Sequence, residues 1–392
     1  MKKLIIVLLL FLAGCEYYEV DCEKYPAATV CQVESEKPIV ETEPEIEIDI
    51  CVEYPGHAEC IEPFSSYRIS EFSLPQEYSF DTYVSMRFYL TDDQHPNDYQ
   101  SIAIRLSETY HKLSSKYDNY EGVVNIKTIN DNPTEKHFLE EELYKLIKFS
   151  IANYEMSMGY FDISINPVST IWHDYRVKCE DYYFNEFFCN LPTDEELAAA
   201  EVFVDINKII MNDEEMSIQL SEGMSLDLGG VSKGYFAEVL AEKFAQRGLR
   251  SFIISAGGNV KTYGTKPNNE NYVIAIQDPT MVRGEGALEY KLSLPGGYSA
   301  VSSGDQEKYY VVDGEIYHHI INPFTNYPDR FSRQVTIVTN DSRAADILST
   351  TVYLMPIEDG IVFVNSLENV EALWVGLDGT VHFSDGIMNF VE

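Results

Sequence analysis

The chain has 392 residues and a formal net charge of −36, with 64 acidic against 28 basic side chains. So acidic a protein is unsuited to nucleic acids, because affinity for their phosphates depends on cationic side chains. The length allows a large core or two lobes, and beyond the N-terminus no stretch is long and apolar enough to predict a membrane-spanning helix.

The N-terminus has the pattern of a lipoprotein signal. Lys2 and Lys3 precede an apolar run over residues 5–12, which is too short to cross a bilayer and ends in Leu-Ala-Gly-Cys at Cys15. This pattern predicts removal of residues 1–14, acylation of Cys15, and a membrane-anchored protein on the exported side of the cell. The alternative is an ordinary secretory signal followed by a chance cysteine.

Residues 15–66 form an acidic segment that contains one short cysteine pattern twice. The stretches from Cys22 to Cys31 and from Cys51 to Cys60 both read C-x-x-Y-P-x-x-x-x-C. The segment is rich in Asp, Glu and Pro and poor in large apolar side chains, so we expect a disordered acidic tether. Such a tether acts as a spacer or docks a partner.

The cysteine count fits an exported protein. With Cys15 assigned to lipid, six cysteines remain, an even number suited to an oxidising compartment. Other connectivities are open, but the simplest pairing is local and gives three disulfides, Cys22–Cys31, Cys51–Cys60 and Cys179–Cys189. A zinc site is the competing interpretation, although the spacings differ from paired C-x-x-C ligands.

From about Tyr67 onwards the pattern is that of a folded body, and we expect one domain over residues 67–392. Runs rich in aromatic and β-branched residues predict strands at 80–90, 252–255, 272–276, 309–312, 334–338 and 371–375. Helical spacing predicts helices at 99–113, 140–155, 195–200, 232–247 and 344–354. Because the elements intermix without a regular βαβ repeat, the sequence predicts an α+β fold with mixed sheets and flanking helices.

A glycine pair, Gly229 and Gly230, precedes the helix predicted to begin at Ser232. Such a turn lets the backbone approach a ligand closely, and the helix N-terminus offers free N–H groups and a positive dipole end to an anion. Lys233 adds one of the few positive charges of the chain. The alternative is a simple strand-to-helix turn.

The sequence RAADILST at residues 343–350 places Asp346, Ser349 and Thr350 on one face of a helix. A carboxylate with neighbouring hydroxyl oxygens suits Mg²⁺, which usually keeps phosphate or water as its other ligands. Read alone, an Asp near a helix start is more often a cap.

Two histidines, His318 and His319, follow a strand-like run. Successive residues of a strand point to opposite faces, so at most one of them normally faces a site. A histidine is suited to taking a proton from a hydroxyl group.

In this order and spacing, the motifs LDLGGVSKGY at 226–235, SSGD to HHIINP at 302–323 and RAADILST resemble the ApbE-like flavin transferase family. Members of that family use FAD and a divalent metal to attach FMN to a threonine of another protein. The resemblance covers roughly residues 78–380. The chain has Ser232 where the family has Ala, Asn322 where Asp is usual, and Asn326 where Gly is common.

The resemblance implies roles for individual residues. His319 would be the base that activates the acceptor hydroxyl, because a weak nucleophile must lose its proton as it attacks. Mg²⁺ would be held by Asp346, Ser349, Thr350 and the backbone carbonyl of Ser232. The residues that would contact FAD are Phe80, Tyr117, Tyr160, Phe161, Asp162, Gly229, Lys233, Tyr235 and Ile320.

The resemblance therefore implies an enzyme that uses Mg²⁺ to transfer FMN from FAD to a threonine hydroxyl of an exported acceptor protein, releasing AMP. Two alternatives stay open. One is an FAD pyrophosphatase, in which water replaces the acceptor and the products are FMN and AMP. The other is a flavin-binding lipoprotein without enzymatic activity.

Overall fold

The computed structural model describes residues 66–80, 82–181, 189–280 and 286–392, together with His57 and the backbone of two N-terminal strands. These strands, β1 (Ile5–Phe11) and β2 (Gly14–Val20), pair antiparallel. The acylation predicted at Cys15 and the disulfides predicted at Cys22, Cys31, Cys51 and Cys60 lie outside the described side chains. Among the described residues, no helix has the length and apolar character needed to span a membrane.

The centre of the fold is an eight-stranded sheet in which every neighbouring pair is antiparallel. In spatial order its strands are β17 (Val381–Phe383), β16 (Glu371–Gly376), β15 (Ser332–Thr339), β12 (Ser299–Gly304), β9 (Asn259–Tyr263), β8 (Phe252–Ala256), β4 (Val84–Leu90) and β3 (Arg68–Ser73). The sheet therefore joins strands of residues 68–90 to strands of residues 252–383, and it brings residues from both halves of the chain to one surface.

Three small antiparallel sheets surround the large one. They are the hairpin of β10 (Tyr272–Gln277) and β11 (Ala287–Leu294), the hairpin of β13 (Tyr309–Val312) and β14 (Glu315–His318), and the trio of β5 (His137–Phe138), β7 (Ser217–Gln219) and β6 (Ile210–Asn212). His318 is the last residue of β14, and His319 follows it directly.

Eight α-helices accompany the sheets in the described part of the chain. They are α1 (Pro96–Ser114), α2 (Ile126–Asp131), α3 (Glu141–Ala152), α4 (Asn166–Asp181), α5 (Asp194–Glu201), α6 (Ser232–Gln246), α7 (Ser342–Tyr353) and α8 (Ile357–Asn365). Helices α6 and α7 pack against each other and against the large sheet, and α1 packs on α6.

Aromatic side chains fix α6 against the sheet. Phe244 of α6 is fully buried, and its ring lies 5.3 Å from the rings of both Phe88 and Phe252 and 5.9 Å from that of Tyr99. Burying one such side chain contributes about 1.5–3 kcal/mol. The C-terminal half of α6 is thereby packed against the sheet.

The predicted α+β class is confirmed, and the predicted strands and helices appear with small changes at their ends. The segment from Tyr160 onwards, for which the sequence predicts no helix, is helical in the structure. It forms a 3₁₀ turn at Ile163–Ile165 followed by α4, and the turn is capped by Asp162, whose carboxylate accepts the Ser164 N–H at 2.7 Å. A short side-chain cap of this kind competes with extended pairing.

Helix α4 is joined to the segment before α5 by a disulfide between Cys179 and Cys189, whose Cα atoms are 4.7 Å apart. Both cysteines are buried beside Trp172 and Leu197. The disulfide is one of the three local pairings that the sequence predicts, and it ties down the helix that carries Trp172.

Candidate functional site

A cavity of about 800 Å³ opens where the glycine turn, the ends of several strands and the loop after α1 meet. Most predicted site residues line it: Phe80, Tyr117, Tyr160, Phe161, Asp162, Gly229, Ser232, Lys233, His319, Ile320, Asp346 and Thr350. Tyr235 and Ser349 are not among the lining residues. The structure therefore brings together three motifs that are far apart in the sequence.

Tyr235 belongs to the core. It is 6 % exposed, and its ring lies 5.9 Å from that of Tyr110 and 5.6 Å from that of Phe149. The guanidinium of Arg343 lies 6.0 Å from the ring. The sequence predicts that Tyr235 contacts FAD; its ring packs against α1 and α3 and is not part of the cavity lining, so this contact stays a prediction.

The helices α6 and α7 approach each other most closely at Gly234. A Cβ atom there would lie 2.2 Å from the carbonyl oxygen of Ser342 and 2.6 Å from Cβ of Asp346, so only glycine fits. The Gly234 N–H donates to Oδ2 of Asp346 at 2.8 Å. This contact fixes the Asp346 carboxylate, which is 4 % exposed, beside the first turn of α6.

Gly230 lies between Phe161 and Thr350, two residues that line the cavity. A Cβ atom added to it would lie 3.3 Å from the ring of Phe161 and 3.4 Å from Oγ1 of Thr350. The glycine therefore places the main chain of the turn next to the Thr350 hydroxyl. Main-chain N–H groups at such a turn, followed by a helix N-terminus, suit an anionic ligand.

The oxygen groups near this turn fit a hard divalent cation. Within the described part of the chain, the Asp346 carboxylate accepts a hydrogen bond at Oδ2, from the Gly234 N–H, and none at Oδ1, while Thr350 presents a hydroxyl to the cavity. No cluster of three His, Cys, Asp or Glu side chains that could cage a metal occurs among the described residues. Mg²⁺ is typically bound by one or two carboxylates together with substrate phosphates, so the donor set suits it.

The hydroxyl groups of Ser349 and Ser232 both donate hydrogen bonds to backbone carbonyl groups. Ser349 is fully buried, and its Oγ donates to the carbonyl oxygen of Asp346 at 2.9 Å. The Ser349 side chain does not line the cavity, and its role as a metal ligand stays a prediction. The Ser232 hydroxyl donates to the Leu228 carbonyl at 2.8 Å, so only its backbone carbonyl stays a predicted ligand.

Sequence reasoning missed an ion pair in the cavity wall between Lys116 and Asp227, whose Nζ and Oδ2 atoms are 2.6 Å apart. Burial alone would raise the pKa of Asp227, but the charge of Lys116 and hydrogen bonds from Lys116 and the Gly229 N–H hold this pKa below its usual range. Lys116 also donates to Oδ1 of Asn166 at 2.8 Å. The two charged residues are too far apart in the sequence for a local pattern to reveal them.

His318 is the structural member of the histidine pair. It is 2 % exposed; its Nδ1 accepts the Ile320 N–H at 3.3 Å and its Nε2 donates to the Asp329 carbonyl at 3.1 Å. Desolvation by burial lowers the pKa of His318 to about 4. Both ring nitrogens are engaged, so His318 is held neutral in the wall.

His319 has its ring open to the cavity. Its Nδ1 lies 3.2 Å from the carbonyl oxygen of Lys308, which can only accept, so Nδ1 carries the proton and Nε2 carries the lone pair. Desolvation by the cavity walls, with repulsion from His318, Lys308 and Lys233, lowers the pKa of His319. The geometry thus gives a neutral imidazole with a basic nitrogen.

Aromatic rings border the cavity on the side of the α1–α2 loop. The ring of Tyr117 is 52 % exposed, and it lies 5.1 Å from that of His173 and 5.3 Å from Nζ of Lys116. On another wall the ring of Tyr160 lies 4.9 Å from that of Phe324. Such rings offer stacking surfaces to a flat heterocycle.

Phe80 and Asp162, which are also predicted to contact FAD, are held in the cavity wall by ring packing and by a helix cap, respectively. Phe80 has φ of 56°, in the left-handed region, and its ring lies 5.2 Å from that of Phe236. Asp162 is committed to Ser164 through its Oδ1, and burial raises the pKa of its carboxyl. Asp162 therefore shapes the wall by capping the 3₁₀ turn.

The loop after His319 accommodates both of its departures from the family pattern. Asn326 has φ of 61°, a conformation that glycine adopts freely and asparagine tolerates. Nδ2 of Asn322 donates to Oδ2 of Asp329 at 2.7 Å. An aspartate at position 322 would instead place its carboxylate against that of Asp329. Asn326 also accepts the indole N–H of Trp172 at 2.8 Å, which ties the loop to α4.

Together these features define an α+β protein with a cavity that combines a helix N-terminus, hard oxygen donors, a basic imidazole and stacking surfaces. The model of the ApbE family matches residues 80–374. This match covers most of the chain, and the protein belongs to the ApbE family.

Two individual proteins with the same name resemble the chain at about a quarter sequence identity. An FAD:protein FMN transferase of Klebsiella pneumoniae is 27% identical over 235 residues, which cover 59% of this chain and 68% of that protein. Another of that name from Haemophilus influenzae is 26% identical over 262 residues, covering 66% and 72%.

Solved structures show the same fold. The ApbE protein of Thermotoga maritima superposes with a TM-score of 0.69 at 27% identity, covering 83% of this chain and 99% of that one. The flavin transferase ApbE of Vibrio cholerae gives 0.67 at 19% identity, covering 83% and 100%, a likeness of fold alone.

Proposed function

We propose that this chain is an enzyme that transfers FMN from FAD to a threonine hydroxyl of an acceptor protein and releases AMP. One observation carries the proposal. The neutral His319, with its lone pair on Nε2, lies in the same cavity as the glycine turn, Asp346 and Thr350. The names of the relatives in Klebsiella and Haemophilus support the flavin chemistry.

The cavity would bind FAD by its phosphates and its flat rings. The main-chain N–H of Gly230 and the side chain of Lys233 would face the pyrophosphate, because they are donors beside a helix N-terminus, while the Gly229 N–H holds the turn through Asp227. The rings of Tyr117 and Tyr160 serve the heterocyclic ends. In so acidic a protein, these few donors offset the repulsion between protein and dinucleotide.

A divalent cation, when bound, neutralises charge on the pyrophosphate, and Asp346, Thr350 and the Ser232 carbonyl would hold it. The protein side chains do the remaining work. Nε2 of His319 takes the proton of the acceptor hydroxyl as that oxygen attacks the FMN phosphorus. A new P–O bond to the acceptor forms, the P–O bond to AMP breaks, and AMP leaves with the electron pair.

The N-terminal sequence supports a proposed location for the enzyme. A lipid on Cys15 would hold the catalytic body at the membrane on the exported side, where acyl chains supply the affinity. The acidic segment at residues 15–66 would separate the body from the lipid surface. Acceptors would then be exported proteins that reach the same surface.

The proposal is tested by incubating the purified chain with FAD, Mg²⁺ and candidate exported proteins. We expect an acceptor to gain the mass of FMN less water on a threonine, with AMP released in equal amount. Release of AMP and free FMN at the same rate with and without acceptors, and no modified protein, would instead identify an FAD pyrophosphatase. Binding of FAD without any product would identify a flavin-binding protein.

A further inference from the structure

Ser303 of β12 and Ser349 of α7 form a hydrogen-bonded pair, with their Oγ atoms 2.9 Å apart. Ser349 is fully buried, whereas Ser303 lines the cavity. On α7, Ser349 lies on the face shared by Asp346 and Thr350, since residues three and four apart are neighbours on a helix. The hydroxyl of Ser303 therefore meets the cavity beside the proposed metal-binding face.

The direction of these hydrogen bonds is fixed by chemistry. Ser349 Oγ donates to the carbonyl oxygen of Asp346, because a carbonyl only accepts. A serine hydroxyl has one proton, so Ser349 must accept in its bond with Ser303, and Ser303 must donate. The proton of Ser303 thus points into the protein, and its remaining lone pair is left for the cavity.

A hydroxyl that offers only a lone pair selects its ligand. It repels phosphate oxygens, which are acceptors, and it attracts a cation or a donor such as water on a cation. Mg²⁺ keeps several waters when it binds to proteins, so both forms of contact belong to one hydrated ion. This preference distinguishes Ser303 from the N–H donors of the glycine turn on the same cavity.

We propose that Ser303, in place of Ser349, supplies the hydroxyl oxygen that faces the hydrated divalent cation beside Asp346 and Thr350. Ser349 is then a positioning residue, which holds the proton of Ser303 away from the cation. The inference deepens the proposed function, since it concerns the metal used in FMN transfer. The spacing of α7 alone cannot distinguish the two serines.

The test measures Mn²⁺ binding to the purified chain by electron paramagnetic resonance, without FAD or an acceptor. We expect Ser303→Ala to raise the Kd for Mn²⁺ about 10-fold or more, the scale found when groups around a metal site are removed. Ser349→Ala should raise it less, because it keeps the Ser303 oxygen but frees the proton. A larger effect of Ser349→Ala, or an unchanged Kd in Ser303→Ala, would overturn the inference.

Thr351→Ala is the matched control. Thr351 is a fully buried residue of α7 that does not line the cavity, and its Oγ1 donates to the Ile347 carbonyl oxygen at 2.8 Å, so the Kd for Mn²⁺ should not change. Ser303→Thr keeps a hydroxyl and should restore the affinity lost in Ser303→Ala, which separates ligation from misfolding. The Mn²⁺ titration measures no FMN transfer, so an unchanged Kd in Ser303→Ala contradicts only the role of Ser303. The proposed function is contradicted by a different result, the absence of FMN transfer by the parent chain.

Discussion

Lys116 and Asp227 form a 2.6 Å ion pair that joins the loop after α1 to the glycine turn before α6. Oδ1 of Asp227 also accepts the Gly229 N–H at 2.8 Å, so one carboxylate holds both the lysine and the turn. Lys116 donates in addition to Asn166 at the start of α4. Three separate segments of the cavity wall are thus connected through a single pair of charges.

We expect Lys116→Met to lower the free energy of unfolding and weaken FAD binding. Removing the cation leaves a partly buried carboxylate without its partner, a loss on the order of 1–3 kcal/mol. Thermal unfolding and titration with FAD measure the two effects. Lys136→Met is the control, because its 2.8 Å ion pair with Glu215 is exposed on both sides and should contribute little.

The stability difference between the parent chain and Lys116→Met should depend on pH, because the pKa of Asp227 is shifted in the folded protein. The pKa of Asp227 is lowered in the folded protein, so its stabilising contribution is complete above the unfolded pKa and is lost as the pH falls through the folded value. The difference in unfolding free energy between the parent chain and Lys116→Met should therefore be largest near neutral pH and shrink in acid. A difference that grows towards acid pH would contradict the assignment.

Asp346→Ala should abolish FMN transfer and remove metal-dependent FAD binding while the fold survives. The carboxylate is the charged oxygen ligand of the proposed site, and its loss leaves only neutral oxygens. Because Asp346 also accepts the Gly234 N–H, a small loss of stability is expected, and circular dichroism checks that the fold remains. Full transfer activity in Asp346→Ala would rule out the metal assignment.

His319→Ala should bind FAD and Mg²⁺ but transfer FMN about 10²–10⁴-fold more slowly, the usual contribution of a general base. Single-turnover rates with saturating FAD separate this effect from binding. His318→Ala is the comparison, since His318 is buried and hydrogen-bonded at both ring nitrogens and should mainly lose stability. A larger rate loss in a folded His318→Ala would identify His318, and not His319, as the base.

The pH profile of transfer offers an independent check on His319. Its pKa is lowered in the free enzyme, so the imidazole stays unprotonated, and able to act as a base, at pH values below the ordinary range for histidine. The acid limb of kcat/KM, which reports the free enzyme, should therefore fall below that range. An acid limb at or above the usual histidine pKa would exclude His319 in its lowered form as the base.

The parts of the site that the sequence predicts are those set by local geometry. The helix period places Asp346 and Thr350 on one face, and the strand period separates His318 from His319. Neither period specifies which face turns towards the cavity. Tyr235 illustrates this, because the packing of α6 against α1 and α3 decides where its ring points.

The contacts that the sequence does not predict join distant segments. Lys116 and Asp227 are 111 residues apart, and Ser303 and Ser349 are 46 apart. Both pairs form only because the antiparallel sheet places β12 against α7 and because α1 packs on α6. The order β15-β12-β9 in that sheet is not encoded in any single strand, so it could not be predicted from local patterns.

The N-terminal segment provides the last prediction. Deleting residues 16–62 should leave FAD binding and transfer nearly intact, because the family match begins at residue 80 and every predicted site residue lies at or beyond Phe80. Cys15→Ser should release the chain from membranes with its chemistry unchanged, which fractionation and a transfer assay measure together. A shortened chain that binds FAD normally but no longer modifies its acceptor would show that the acidic segment recruits the partner, and would contradict its role as a spacer.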